Sequence, residues 1–187
     1  IRIAHWSGGG RPCQIERSGF GLAVRSKFRI TYLPDPQTKD ARLALAFYRE
    51  AVSLDHTAYS FLSYYKILYM LYAKGKQQKA WICHTLASVT AREARKRLDQ
   101  LVSQNIDVAE YLYESCRCAI AHAGVSPTID PENIEDGKRL CSDLPLIKAL
   151  AELMIEEHFG VKTPSTIGKE HLYELSGFKA KIPVEVV

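Results

Sequence analysis

The sequence predicts a mostly α-helical protein, a bundle of four or five helices with a small N-terminal β-hairpin and an irregular C-terminal tail. Three observations carry this. From Asp40 to His158 apolar residues recur every three or four positions, the period of helices that bury one stripe. Helix start and stop residues, Asp40, Gly75, Asp107, Gly124 and Gly160, fall between those stretches. Before residue 37 the pattern changes to alternation, interrupted by Gly8-Gly-Gly10 and closed by Pro34-Asp-Pro36. The chain therefore divides into an appendage over residues 1–36, a helical body over 37–160 and a tail over 161–187.

Of the 187 residues 47% are hydrophobic and 25% charged, enough for one domain with its own core. No apolar run is long enough to cross a bilayer, and no secretory signal pattern is seen, so no membrane partner is expected. The five cysteines, Cys13, Cys83, Cys116, Cys118 and Cys141, are odd in number and irregularly spaced. That argues against a disulfide framework and for a reducing, cytoplasmic setting. A net charge of +4 permits a polyanionic partner without requiring one.

Each element has its own signal. Ile1 to Trp6 and Gly21 to Leu33 alternate as two strands. Arg25, Lys27 and Arg29 share one strand face, open to solvent or to phosphate. In the first helix Leu43, Phe47, Ala51 and Leu54 form the stripe and Asp40 can cap the first turn. Tyr59 to Tyr72 is apolar nearly all round, which predicts a central helix ended by Gly75. Its tyrosines read as core with hydroxyls at the rim rather than as base-stacking platforms. Lys79 to Gln104 reads as one third helix. Within it Arg92, Arg95 and Lys96 are candidates for RNA-backbone contacts, although interleaved Glu93 and Asp99 also describe a solvated face. Asp107 caps the fourth helix, whose inner stripe is Val108, Leu112, Ser115 and Ala119. The fifth runs from about Ile134 to His158 past Pro145, with Leu144, Ile147, Leu150, Ala151 and Met154 inward and Gly160 at its end. In the tail, a short helix near Lys169 to Leu175 and an extended end over Ile182 to Val187 are expected.

Several chemistries are excluded by their missing motifs. There is no P-loop, dinucleotide-binding glycine pattern, HExxH, GxSxG or paired CxxC. Cys116 and Cys118 point about 200° apart on a helix, which opposes joint metal ligation with His122, so no metal site is expected. What remains is Arg117 and His122 in Arg117-Cys-Ala-Ile-Ala-His122-Ala-Gly124. An arginine forks onto phosphate oxygens and a histidine moves protons near neutral pH, which together suffice for RNA cleavage. As a bare spacing Arg-x4-His is common. Five helical residues separate the side chains by about 140°, so a single copy should not pinch a phosphate. Two copies meeting across a two-fold axis could. The plainer alternative pairs Arg117 with Glu110 or Glu114 and leaves His122 as a helix C-terminal cap.

Ala46-Phe-Tyr-Arg-Glu-Ala-Val-Ser-Leu54, Tyr59-Ser-Phe-Leu-Ser-Tyr-Tyr-Lys-Ile-Leu68 and the Arg117 to His122 motif together resemble the HEPN superfamily. The likeness is greatest to the branch of methylamine-utilisation accessory proteins and covers roughly residues 40–160. It implies an HEPN-like bundle that dimerises through the motif helix. It further implies a metal-independent endoribonuclease needing no cofactor, with Arg117 orienting the scissile phosphate and His122 as general acid or base. Its partners would be single-stranded RNA, a second copy of the chain, and an antitoxin or a larger protein. The chain departs from the family pattern in three places. Cys118 follows the arginine where a polar residue is usual, Gly124 replaces the tyrosine of the nucleotidylated toxins, and Tyr69 occupies the candidate place of a helix-two acid. These departures leave room for a non-catalytic RNA- or nucleotide-binding module, or a structural accessory protein.

Overall fold

The computed structural model describes residues 36–122, 124 and 126–162. The expected hairpin, including Arg25, Lys27 and Arg29, and the expected tail elements lie outside the described residues. All regular secondary structure within them is helical. Six helices form: α1 Lys39–Ser53, α2 Thr57–Leu71, α3 Gly75–Thr85, α4 Arg92–Ser103, α5 over 108–121 and α6 Ile134–Phe159.

α1 starts at Thr38, whose side chain accepts the Ala41 N–H at 3.0 Å. Asp40 lies inside the first turn instead of capping it. The buried stripe is Ala41, Ala44, Tyr48 and Ala51, and Leu43 is exposed. The stripe is rotated from the expected one because Tyr48 can bury its ring while donating to Glu152 Oε1 on α6 at 2.6 Å. The small alanines let α2 approach closely.

α2 is the central helix, packed against both α1 and α6. Phe61, Ile67 and Leu68 are fully enclosed, and Tyr64 and Tyr65 are buried, while Tyr59 and Tyr69 face solvent. Truncating one of the enclosed aliphatic side chains to alanine costs about 2–5 kcal/mol. The helix ends at Leu71, and Gly75 opens α3 instead of ending α2. The buried Gln78 side chain bonds back to the Tyr72 carbonyl and holds the intervening turn.

The single helix expected over Lys79 to Gln104 is two. α3 passes through a 3-10 turn, Leu86–Ser88, and the chain is extended at Val89 before α4. Ser88, Val89 and Thr90 are three weak helix formers in succession, and burying Val89 fixes the break.

α6 runs unbroken through Pro145 to a left-handed Gly160 (φ 64°). A positive φ of this kind costs a glycine nothing. Leu146, Ile147, Leu150, Met154 and Ile155 fill the centre of the core, with Leu144 at its margin. Asp143, also fully buried, shares this face.

Candidate functional site

Asp107 caps α5 as expected, accepting the Glu110 N–H at 3.0 Å. After one α-helical turn, Val108–Glu110, the helix widens. Tyr111–Cys118 is a π-helix, and Ala119–Ala121 returns to α. The Ala119 N–H reaches the Glu114 carbonyl, a five-residue span, as well as that of Cys116. π-helical turns are rare and concentrate at functional sites. Cys116 lies in the core and Ser115 is half-buried, where the expected stripe had Ser115 inward.

His122 leaves the helix with extended backbone (φ −129°, ψ 99°). Its exposed ring folds back so that Nε2 lies 3.3 Å from Arg117 Nη1. The two side chains therefore meet within one chain. The 140° separation expected of a straight α-helix does not hold, because α5 is widened before His122 and ends at it. A guanidinium has only donors, so the contact needs an unprotonated Nε2. Behind His122 the Ile129 N–H closes on the Ala119 carbonyl at 3.2 Å, satisfying one of the helix's last acceptors.

Arg117 is half-buried. Its guanidinium lies 5.7 Å from the Tyr113 ring centroid, and Nη1 is also 3.5 Å from Cys118 Sγ. Neither acid considered for it holds it: Glu110 pairs with Lys79 at 2.7 Å, and among the described residues no ion pair joins Arg117 to Glu114. Lys79 sits 5.3 Å from the same Tyr113 ring. The hydroxyl end of Tyr113 presses on Gly75, where a Cβ would overlap the phenol. The neighbour on α2 is Tyr65, whose ring lies tilted to that of Tyr113 with centroids 6.5 Å apart and which feels the Arg117 charge, not the exposed Tyr69 one turn on. Burial pushes the Tyr65 hydroxyl well above its ordinary range, and among the described residues it has no hydrogen-bond partner.

Beneath the π-helix lies a group of charges that no sequence motif marks. The buried Asp143 accepts from Arg97 Nε and Tyr111 Oη, both at 2.8 Å, and from Cys116 Sγ at 3.6 Å. Arg139 Nη1 donates to the Ser115 carbonyl at 3.0 Å and to Tyr111 Oη at 3.3 Å. Cys116 is thus a buried residue bonded to a carboxylate, its thiol raised well above the usual range first by burial and then by Asp143. The available signal is Asp143 itself, a carboxylate on the stripe of Leu140, Ile147 and Leu150.

Arg92, Arg95 and Lys96 line an open groove of about 690 Å³ on the outer face of α4, with Thr90, Asp99, Gln100 and Ser103. Arg95 bridges Asp99 at 3.0 Å. Among the described residues no hydrogen bond or ion pair links this trio to Arg117 or His122. Arg97 of the same basic run turns inward to Asp143.

A family model described as methylamine utilization protein MauJ matches residues 44–156, from within α1 to near the end of α6. The chain belongs to the MauJ family. Its matched span takes in the whole π-helix, the Arg117–His122 pair and Asp143, so the MauJ region and the helical core coincide. No curated protein and no solved structure is similar enough to match. Among the described residues no helix is long and apolar enough to cross a membrane.

Proposed function

We propose that this MauJ-family chain is an HEPN-type endoribonuclease that cleaves single-stranded RNA without a metal, its Arg117–His122 pair doubled across a two-fold axis. The observation that supports this is the 3.3 Å contact between Arg117 Nη1 and His122 Nε2 beside an open helix end. It assembles a permanent cation and a proton acceptor within the span of one phosphodiester.

The chemistry follows from those two groups. A phosphate anion draws the guanidinium fork more strongly than an imidazole does, because both partners are then charged. Arg117 swings onto the phosphate oxygens and releases the lone pair of Nε2. That nitrogen takes the proton of the ribose 2′-hydroxyl, and the 2′-oxygen attacks phosphorus. Arg117 offsets the charge growing on the non-bridging oxygens. The bond to the 5′-oxygen breaks, and that oxygen takes its proton from the second protomer's His122, which enters the step as imidazolium with its own Arg117 contact released. The products are a 2′,3′-cyclic phosphate and a 5′-hydroxyl, and DNA, lacking the nucleophile, is spared. Arg92, Arg95 and Lys96 would steer the flanking backbone along α4.

The same contact favours a second reading. With its acceptor lone pair already engaged and Cys118 in a usually polar position, the pair suits a module that binds RNA or a nucleotide without turnover. Labelled RNA incubated with the protein in EDTA separates the two. Wild type is expected to generate 5′-hydroxyl ends, and His122→Ala to lose at least about 10²-fold in rate, the usual share of a general base. Cleavage by His122→Ala at the wild-type rate, or intact RNA with wild type, overturns the nuclease reading.

A further inference from the structure

The geometry points to Arg139, Asp143 and Arg97 as positioning residues that hold α5 in its π register and thereby set Arg117 against His122. This rests on the reading of that pair as the reactive site. A π-helix is a poor competitor to the α-helix and persists where something outside it holds it open. Here α4 and α6 hold it at two places. Tyr111, its first residue, is fixed through its hydroxyl by Asp143 Oδ2 at 2.8 Å, Arg139 Nη1 at 3.3 Å and Arg97 Nη2 at 3.4 Å. Its last turn is fixed through the Ser115 carbonyl by Arg139 at 3.0 Å and through Cys116 Sγ by Asp143. Ser115 and Cys116 immediately precede Arg117.

The charges are arranged to keep that hold. Asp143 is fully buried and faces Arg97, whose side chain is 16% exposed. Arg139 has its own counter-ion in Asp136 at 3.6 Å, so it can spend its donors on the π-helix. Among the described residues none of the three makes a hydrogen bond or ion pair to Arg117 or His122. Should the hold loosen, the helix can tighten to α, and one residue of slip turns a side chain by about 100°. Arg117 then leaves His122, although both residues are still present and the helix is still formed.

The test compares wild type with Arg139→Gln, Arg139→Lys and Tyr111→Phe, the last removing only the hydroxyl that the cluster grips. ¹⁵N-histidine NMR follows His122, with Arg117→Ala as the reference for a broken contact. Cleavage is followed as separate kcat and KM. The wild-type His122 signal should show Nε2 held as an acceptor. Arg139→Gln and Tyr111→Phe should move it toward the Arg117→Ala position and lower kcat by about 10²-fold with KM nearly unchanged, the effect of a misplaced reacting group. Arg139→Lys, keeping the charge but losing the guanidinium fork, should fall between. A His122 signal unmoved in both Arg139→Gln and Tyr111→Phe, each still folded by circular dichroism, overturns the positioning role. Because the NMR arm needs no activity, it decides this point even if wild type leaves RNA intact, an outcome that would remove the nuclease reading alone.

Discussion

Changing Asp143 to asparagine tests whether the charges under α5 hold the fold as well as the site. The carboxylate is wholly inside the protein and bonds Arg97 Nε and Tyr111 Oη at 2.8 Å each. Removing one member of a buried ion pair costs about 3–5 kcal/mol, mostly because the other charge is stranded. Two features place this case at the lower end. Asparagine retains an acceptor oxygen of similar shape, and Arg97 keeps 16% of its side chain in solvent. The expected loss is about 3 kcal/mol. For a chain of this size each kcal/mol lowers Tm by about 2–4 °C, so melting should fall by about 6–12 °C. Arg95→Ala is the control. Its pair with Asp99 at 3.0 Å has the same chemistry, but both side chains are at least half exposed, and the cost should stay under about 0.5 kcal/mol. Thermal melts of both variants in one buffer decide the matter. A fall of less than about 2 °C for Asp143→Asn, or one equal to the control, would show that burial does not give this pair its weight.

Alkali should destabilise the fold. The Tyr48, Tyr64, Tyr65 and Tyr111 hydroxyls and the Cys116 thiol are all raised above their ordinary values of 10.0 and 9.0, in each case first by burial. The unfolded chain gives up these protons at lower pH than the native one, so stability is complete below about pH 9 and declines as pH rises past 9 and then 10. Urea midpoints from pH 7 to 11 check this, and a flat profile would refute it. On α4, each of Arg92→Ala, Arg95→Ala and Lys96→Ala should weaken RNA binding evenly across sequences. Each should also reduce the salt slope of log K by about 0.7, the single-strand value per phosphate contact. Binding titrations between 50 and 200 mM salt (conditions on the order used for such slopes) measure it, and unchanged slopes would return the trio to an ordinary solvated face.

How far the sequence anticipates this structure depends on the kind of signal. Caps and stops written by residue type are legible: Asp107 and Gly160 do what their chemistry suggests. Stripes are legible to about one position. Ala51 is shared by the expected and observed faces of α1, but choosing between Leu43 and Tyr48 needs the distant Glu152. Thr38 outcompetes Asp40 because the cap must sit where the backbone is still extended. The break near Val89 is a tertiary choice, since the residues around it also fit a continuous helix. Least legible is the π register of α5. Its partners, Arg97 and Asp143, lie 14 residues before and 32 after Tyr111, and no local period encodes them. Consequently Arg117 and His122 are identifiable from the motif, while their meeting within a single chain is not.

Gly75 gives the site a back door. The hydroxyl end of Tyr113 occupies the space that a Cβ at residue 75 would need, and the same ring lies 5.7 Å from the guanidinium of Arg117. A methyl group added at residue 75 would act as a shim, displacing the aromatic spacer and, through it, the cation. The amino end of α3 therefore bears on the depth at which the arginine sits, through the one aromatic ring that neighbours both.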